Sequence, residues 1–233
     1  NQGWWIDDIR IERDNLSLFA SYPFVDSAEN ADFTSRNWQA IGDWARTDSQ
    51  GGMFNSSNSY TDSPLGNYAA NSTSTYEMRR TIDLLYDTPE NTGAAGEGVV
   101  RPPASRPFLT FYHKRFTASS TIFYVDLWSA ATNNWVSIWS YTDNSANRTN
   151  RSWERVEIDL REGLVRNMRV STGNNTWVWQ TGSPNPTSIS NNTNLVDDDI
   201  RIRFRLVSSS STADGISIDE IRIQENPEVV HRL

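Results

Sequence analysis

Ile200-Arg201-Ile202-Arg203-Phe204-Arg205-Leu206 alternates apolar and cationic residues without a break. On a strand, successive side chains point to opposite faces, so Ile200, Ile202, Phe204 and Leu206 share one face and Arg201, Arg203 and Arg205 the other. This predicts a half-buried antiparallel strand. Similar runs, rich in aromatic and β-branched residues, cover residues 108–116, 121–128, 135–141 and 155–160, with Asn, Ser, Gly or Pro clusters between them. No stretch sustains a long helical period. Residues 93–107, with Pro102, Pro103 and Pro107, and residues 182–194, with Pro184 and Pro186, read as long surface loops. Many short strands joined by turn-rich segments predict an all-β jelly-roll sandwich of antiparallel strands.

A repeat organises the chain. Gly3-Trp4-Trp5-Ile6-Asp7-Asp8-Ile9-Arg10-Ile11 matches Gly215-Ile216-Ser217-Ile218-Asp219-Glu220-Ile221-Arg222-Ile223 at six of nine positions, with Asp8 exchanged for Glu220. The chain therefore divides into residues 1–12, the closing strand of a preceding module or a donor strand; residues 13–225, one complete module; and residues 226–233, a connector to the next. In both copies the apolar parity changes across the acidic pair, from 216 and 218 to 221 and 223 in the second. Such a change requires one extra residue, a β-bulge, which turns a carboxylate out of the ladder. A buried carboxylate needs a partner, and the expected one is a calcium ion, with an arginine as the alternative.

Composition narrows the functions. The 233 residues carry a formal charge of −8, which disfavours the phosphates of nucleic acid and anionic membranes. No apolar run is long enough to span a bilayer. Cysteine is absent, so any metal clamp must use oxygen ligands, which favours a hard cation. Of the 21 basic residues only Lys114 is a lysine; the rest are arginines, planar forks suited to ion pairs and aromatic stacking. Seven N-x-S/T sequons, at Asn15, Asn55, Asn71, Asn147, Asn150, Asn174 and Asn191, are consistent with an extracellular glycoprotein.

The order Asn37-Trp38, Trp44, Asp62-Ser63-Pro64-Leu65-Gly66-Asn67-Tyr68, Ile82-Asp83-Leu84, Leu109-Thr110-Phe111, Asp126, Trp135, Ile158-Asp159-Leu160, Ile202-Arg203-Phe204 and Asp214-Gly215-Ile216-Ser217-Ile218-Asp219 resembles MAM-like jelly-roll modules. These accompany immune-inhibitor-A-type metallopeptidases and recur in bacterial surface proteins and cleaved adhesins. The resemblance implies a two-sheet sandwich with a structural calcium, acting in adhesion or beside a catalytic domain. It implies Asp62, Asn71, Asp126 and Asp219 as calcium ligands, with backbone oxygens near Tyr68. Asp62 in a turn sequence and Asp126 on a strand apolar on both faces also have metal-free readings, as a turn cap and as a buried partnered carboxylate.

An enzyme is not expected. His113 and His231 are the only histidines and no H-E-x-x-H occurs, so a zinc peptidase is excluded. His113, inside a strand, reads as a packed core residue rather than a triad base. Glu157-Ile158-Asp159-Leu160-Arg161-Glu162 has the carboxylate spacing of jelly-roll glycoside hydrolases, but the apolar set Val156, Ile158 and Leu160 makes Glu157 and Asp159 an ordinary solvent face. A carbohydrate-binding module is the other alternative, with Trp177-Val178-Trp179 as the place where indoles would stack on sugar. The leading expectation is a secreted, non-enzymatic, calcium-stabilised module that joins copies of itself head to tail in a fibre or adhesin stalk. Asn226-Pro227-Glu228 would limit bending there, and the leading strand is an alternative donor-strand joint.

Overall fold

The computed structural model describes residues 19–20, 22–84, 107–129, 133–142, 152–160, 168–171, 177–180 and 199–225. Residues 1–12, 226–233, the greater part of both expected loops, Glu162 and five of the seven sequon asparagines lie outside the described residues, while Asn55 and Asn71 are described and exposed.

In chain order the elements are β1 (Phe19–Ala20), β2 (Phe24–Asp26), α1 (Ala31–Asn37), β3 (Trp38–Ile41), β4 (Ala45–Thr47), β5 (Ser59–Thr61), β6 (Thr73–Met78), β7 (Thr81–Asp83), β8 (Pro107–Phe116) and β9 (Ile122–Ser129). There follow β10 (Asn134–Thr142), β11 (Glu154–Asp159), β12 (Met168–Ser171), β13 (Trp177–Gln180), β14 (Asp199–Ile200), β15 (Ile202–Val207) and β16 (Gly215–Glu225). A five-stranded antiparallel sheet runs β10-β9-β15-β6-β3, and a six-stranded one runs β11-β8-β16-β5-β4 with β2 also on β16. The two form the jelly-roll sandwich that the alternating sequence predicts.

The core lies between these sheets and is largely aromatic. Trp38, Tyr76, Phe123, Trp139 and Phe204 come from the five-stranded sheet; Phe24, Tyr60 and Phe111 come from the six-stranded one. Trp38 stacks on Tyr76 at 5.0 Å and 11°, and Phe111 meets Phe204 edge-on at 5.2 Å and 74°, the offset and T-shaped geometries that ring quadrupoles favour. A buried carboxylate anchors this cluster. Asp26 accepts from Trp38 Nε1 at 2.6 Å, from the Tyr60 hydroxyl at 2.8 Å and from the Ala28 N–H at 2.9 Å. Burial nevertheless raises its pKa above the usual carboxylate value.

Two local features modify the sequence expectation. The run 200–206 is not one strand: Ile200 pairs with β7 beside parallel β1, whereas Ile202–Val207 pairs with β6 and β9, and Arg201 bridges the two. The short helix α1 begins on Asn30, whose side chain accepts from the Phe33 N–H at 3.0 Å, a side-chain cap of the first turn.

Candidate functional site

The outward face of the five-stranded sheet gathers unlike chemistry. On β15, Ile202, Phe204 and Leu206 are buried, which turns Arg203 and Arg205 outward, with Arg201 beside them. On β9, Phe123, Val125 and Leu127 fill the core, which turns Tyr124, Asp126 and Trp128 outward. Register sets Arg203 opposite Asp126, Arg205 opposite Tyr124 and Trp135 of β10 opposite Trp128. A bulge between Ser137 and Trp139 reverses the parity of β10, so Trp135 stays on this face while Trp139 enters the core against Phe111 and Phe123.

These side chains interlock. Arg203 Nε and Arg205 Nε each donate to Asp126 Oδ2 at 2.7 Å, and Arg205 Nη2 donates to Oδ1 at 3.0 Å. Burial of Asp126, 1% exposed, opposes its ionisation, but the hydrogen bonds from Arg205 and Arg203 override that and hold its pKa below the ordinary value. The guanidiniums lie over aromatic rings: Arg205 4.0 Å from Tyr124, Arg203 4.7 Å from Trp135, and Arg201 4.9 Å from Trp128 and 5.3 Å from Trp135. Trp128 and Trp135 meet edge-to-face at 5.4 Å. The result is a row of planar groups with preset orientations, in which Asp126 has an arginine partner, the metal-free reading of that residue.

The four expected calcium ligands fall at separate places. Asn71 is exposed in a turn at φ 50°, with its N–H on the Ser209 carbonyl. Asp219 sits at the expected bulge of β16, where the register shifts between Asp219 and Arg222 and Glu220 takes φ 52°. Its carboxylate accepts from the Met53 N–H at 2.7 Å, the Ser56 hydroxyl at 3.0 Å and the Glu220 N–H at 2.7 Å, so a loop rather than an arginine meets it. Burial still pushes its pKa up to about 6. Asp62 is 1% exposed and accepts from the Ile216 N–H at 2.6 Å and the Ser63 hydroxyl at 2.9 Å. Burial pushes it up to about 7, because two neutral donors do not balance the charge. Among the described residues no three Asp, Glu or His side chains come together as a metal cluster. Of the four, Asp62 fits a cation best: it is buried with no cationic hydrogen-bond partner and accepts from two neutral donors, where the equally buried Asp219 accepts from three.

The rest of the Asp62 turn is structural. Tyr68 is buried; its hydroxyl accepts from the Ala118 N–H at 2.7 Å and meets Thr121 Oγ1 at 3.1 Å, while Leu65 at the tip is fully exposed.

His113 is buried against Phe111, Phe123, Trp139 and Tyr141, and burial followed by the Arg115 charge lowers its pKa to about 3, so it is neutral and walled off from solvent. Glu157 and Asp159 of β11 point away from buried Val156 and Ile158, and Glu157 pairs with Arg155. Trp177 and Trp179 lie on β13, opposite Ser171 and Arg169 of β12, in a separate two-stranded ladder. The outward row of Trp128, Trp135 and Tyr124 was not singled out from sequence. The alternation of 122–128 against 200–206 carried the signal, since both strands keep large planar groups on the non-core face.

No protein-family model matches the sequence, and no curated protein matches it. Among solved structures the chain is similar to the K3 cleaved adhesin domain of Lys-gingipain from Porphyromonas gingivalis, at 12% identity and TM-score 0.47 over 87% of this chain and 98% of that one. The K1 domain of the same protein gives 15% identity and TM-score 0.46 over the same shares. A family 11 carbohydrate-binding module from Clostridium thermocellum, in complex with a β-1,3-1,4-mixed-linked tetrasaccharide, gives 12% identity and TM-score 0.42 over 81% of this chain and 89% of that one.

Proposed function

We propose that this chain is a non-catalytic adhesive module that holds saccharide on the outward face of its five-stranded sheet. One observation carries the reading: Arg201, Arg203 and Arg205 lie against Trp128, Trp135 and Tyr124, and Arg203 and Arg205 are cross-linked through Asp126. Pyranose rings present apolar C–H faces that pack on aromatic rings and vicinal hydroxyls that accept forked N–H donors. Donors already fixed by stacking and ion pairing lose little freedom on binding. Affinity electrophoresis through gels containing neutral and acidic polysaccharides tests this. Retardation by at least one polymer, relieved when Trp128 and Trp135 are both replaced by Ala, is expected. Unretarded migration in every gel removes the reading.

A second reading concerns assembly in an extracellular fibre or stalk, favoured by what the repeat preserves. In β16, Gly215 has φ 91° and a Cβ there would stand 2.3 Å from Asp62 Oδ1; Asp219 meets the 53–56 loop, and Glu220 takes the bulge. Gly3 and Asp7 recur at the same spacing, and Asp8 stands where Glu220 does. Residues 3–11 thus have the requirements of a central strand and suit either a neighbouring module or a second copy of the chain. Calcium at Asp62 would stiffen the joint between β5 and β16 within each module. Among the described residues no helix is long and apolar enough to cross a membrane.

A further inference from the structure

We infer that the saccharide selected by this face is acidic, a uronate whose carboxylate docks on the edge of Arg201 with the terminal N–H groups of Arg203 beside it. This rests on the reading of the face as a saccharide site and names the class of sugar. In a chain of net charge −8, three guanidiniums converge here. Asp126 accounts for only part of their hydrogen-bonding capacity, taking Nε of Arg203 and Nε and Nη2 of Arg205. Glu77, opposite Arg203 on β6, accepts instead from Gln39 Nε2. Among the described residues no carboxylate forms an ion pair with Arg201, whose guanidinium is held by the two indoles alone.

An arginine over an indole face keeps its in-plane N–H edge free, and that edge matches the two oxygens of a carboxylate. Apolar rings beneath the cation also exclude water, so an incoming anion meets a less screened charge than on an open surface. A neutral sugar would accept the same hydrogen bonds but leave the charge of Arg201 unbalanced. A uronate satisfies both, with its ring over the Trp128 and Trp135 edges and its carboxylate against the fork. Arg203, held through Nε by Asp126, keeps Nη1 and Nη2 for the same anion or an adjacent hydroxyl.

Binding of the intact chain to polygalacturonate is compared with the same polymer fully methyl-esterified, with neutral mixed-linkage β-glucan and with dextran sulfate, in buffer of physiological ionic strength. The acidic polymer is expected to bind about tenfold or more tightly than its ester, the effect of one hydrogen-bonded charge pair. Arg201→Gln should reduce binding to the level of the ester. Arg201→Lys, which keeps the charge and loses the fork, should weaken polygalacturonate binding several-fold with Tm unchanged, which separates recognition from folding. Equal affinity for acid and ester, or indifference to both Arg201 variants, overturns the acidic assignment while leaving a saccharide face. Preference for dextran sulfate overturns the uronate. No binding to any of the four overturns both readings.

Discussion

His113 shows how one side chain records its surroundings. Its pKa falls to about 3 from 6.5 because burial, and then Arg115, oppose a second charge; Glu154, 3.9 Å from Nε2, is the acidic group facing it. Below pH 6.5 the unfolded chain binds a proton there that the folded chain refuses, so this residue removes stability as pH falls toward 3. His113→Phe, which suits the same aromatic pocket, should lessen the acid loss by about 1.4 kcal/mol for each pH unit in that window, measured by urea unfolding at pH 7 and 4.5. Asp62 has the opposite sign. Its folded value of about 7 against 3.8 means the folded chain keeps a proton that the unfolded one has released, so its contribution declines as pH rises from about 4 to 7. Asp62→Asn keeps an oxygen for the Ile216 N–H and sheds the buried charge. Without calcium it should be at least as stable as the parent at pH 8 by thermal unfolding. Added calcium should raise the Tm of the parent alone, and a Tm indifferent to calcium in both proteins would remove the ion from Asp62.

At the scale of elements, β16 is the strand on which the six-stranded sheet depends, since it pairs with β8, β5 and β2. Its bulge was legible in the sequence because 216 and 218 give way to 221 and 223, a parity change that only an inserted residue permits. Not legible was what would meet Asp219, because the 53–56 loop is more than 160 residues distant in the chain. Gly215 opens this strand at a backbone angle that L residues disfavour, with Asp62 and Ser63 filling the space where a side chain would stand. Gly215→Ala should therefore destabilise the protein by about 2–3 kcal/mol in chemical unfolding. A loss under 0.5 kcal/mol would mean that the turn after β5 can move away. The Ile200–Leu206 run shows the reverse limit. Its alternation forecast which residues face the core, yet not that Ile200 pairs with β7 while Ile202 pairs with β9.

At the scale of the whole molecule, two aromatic inner faces make the core, and the outward face of one sheet remains for recognition. If residues 3–11 serve as a donor strand, sedimentation of the intact chain should show association that rises with concentration, and Asp7→Lys should suppress it by placing a cation where the 53–56 loop expects a carboxylate. A monomer at every concentration would exclude the donor-strand joint between separate chains. The sequence by itself determined the periodicities: an all-β sandwich, the inward and outward sets of β9, β11 and β15, the bulge after Asp219 and the buried place of His113. These are local properties, set by the two-residue period of a strand and the cost of burying polar groups. Only the tertiary structure decided partners. Asp126 meets arginines 77 and 79 residues away, and Trp135 joins Trp128 because β10 bulges after Ser137. Strand order and register bring those residues together, and both are set by the packing of the whole core, which no short window of sequence contains.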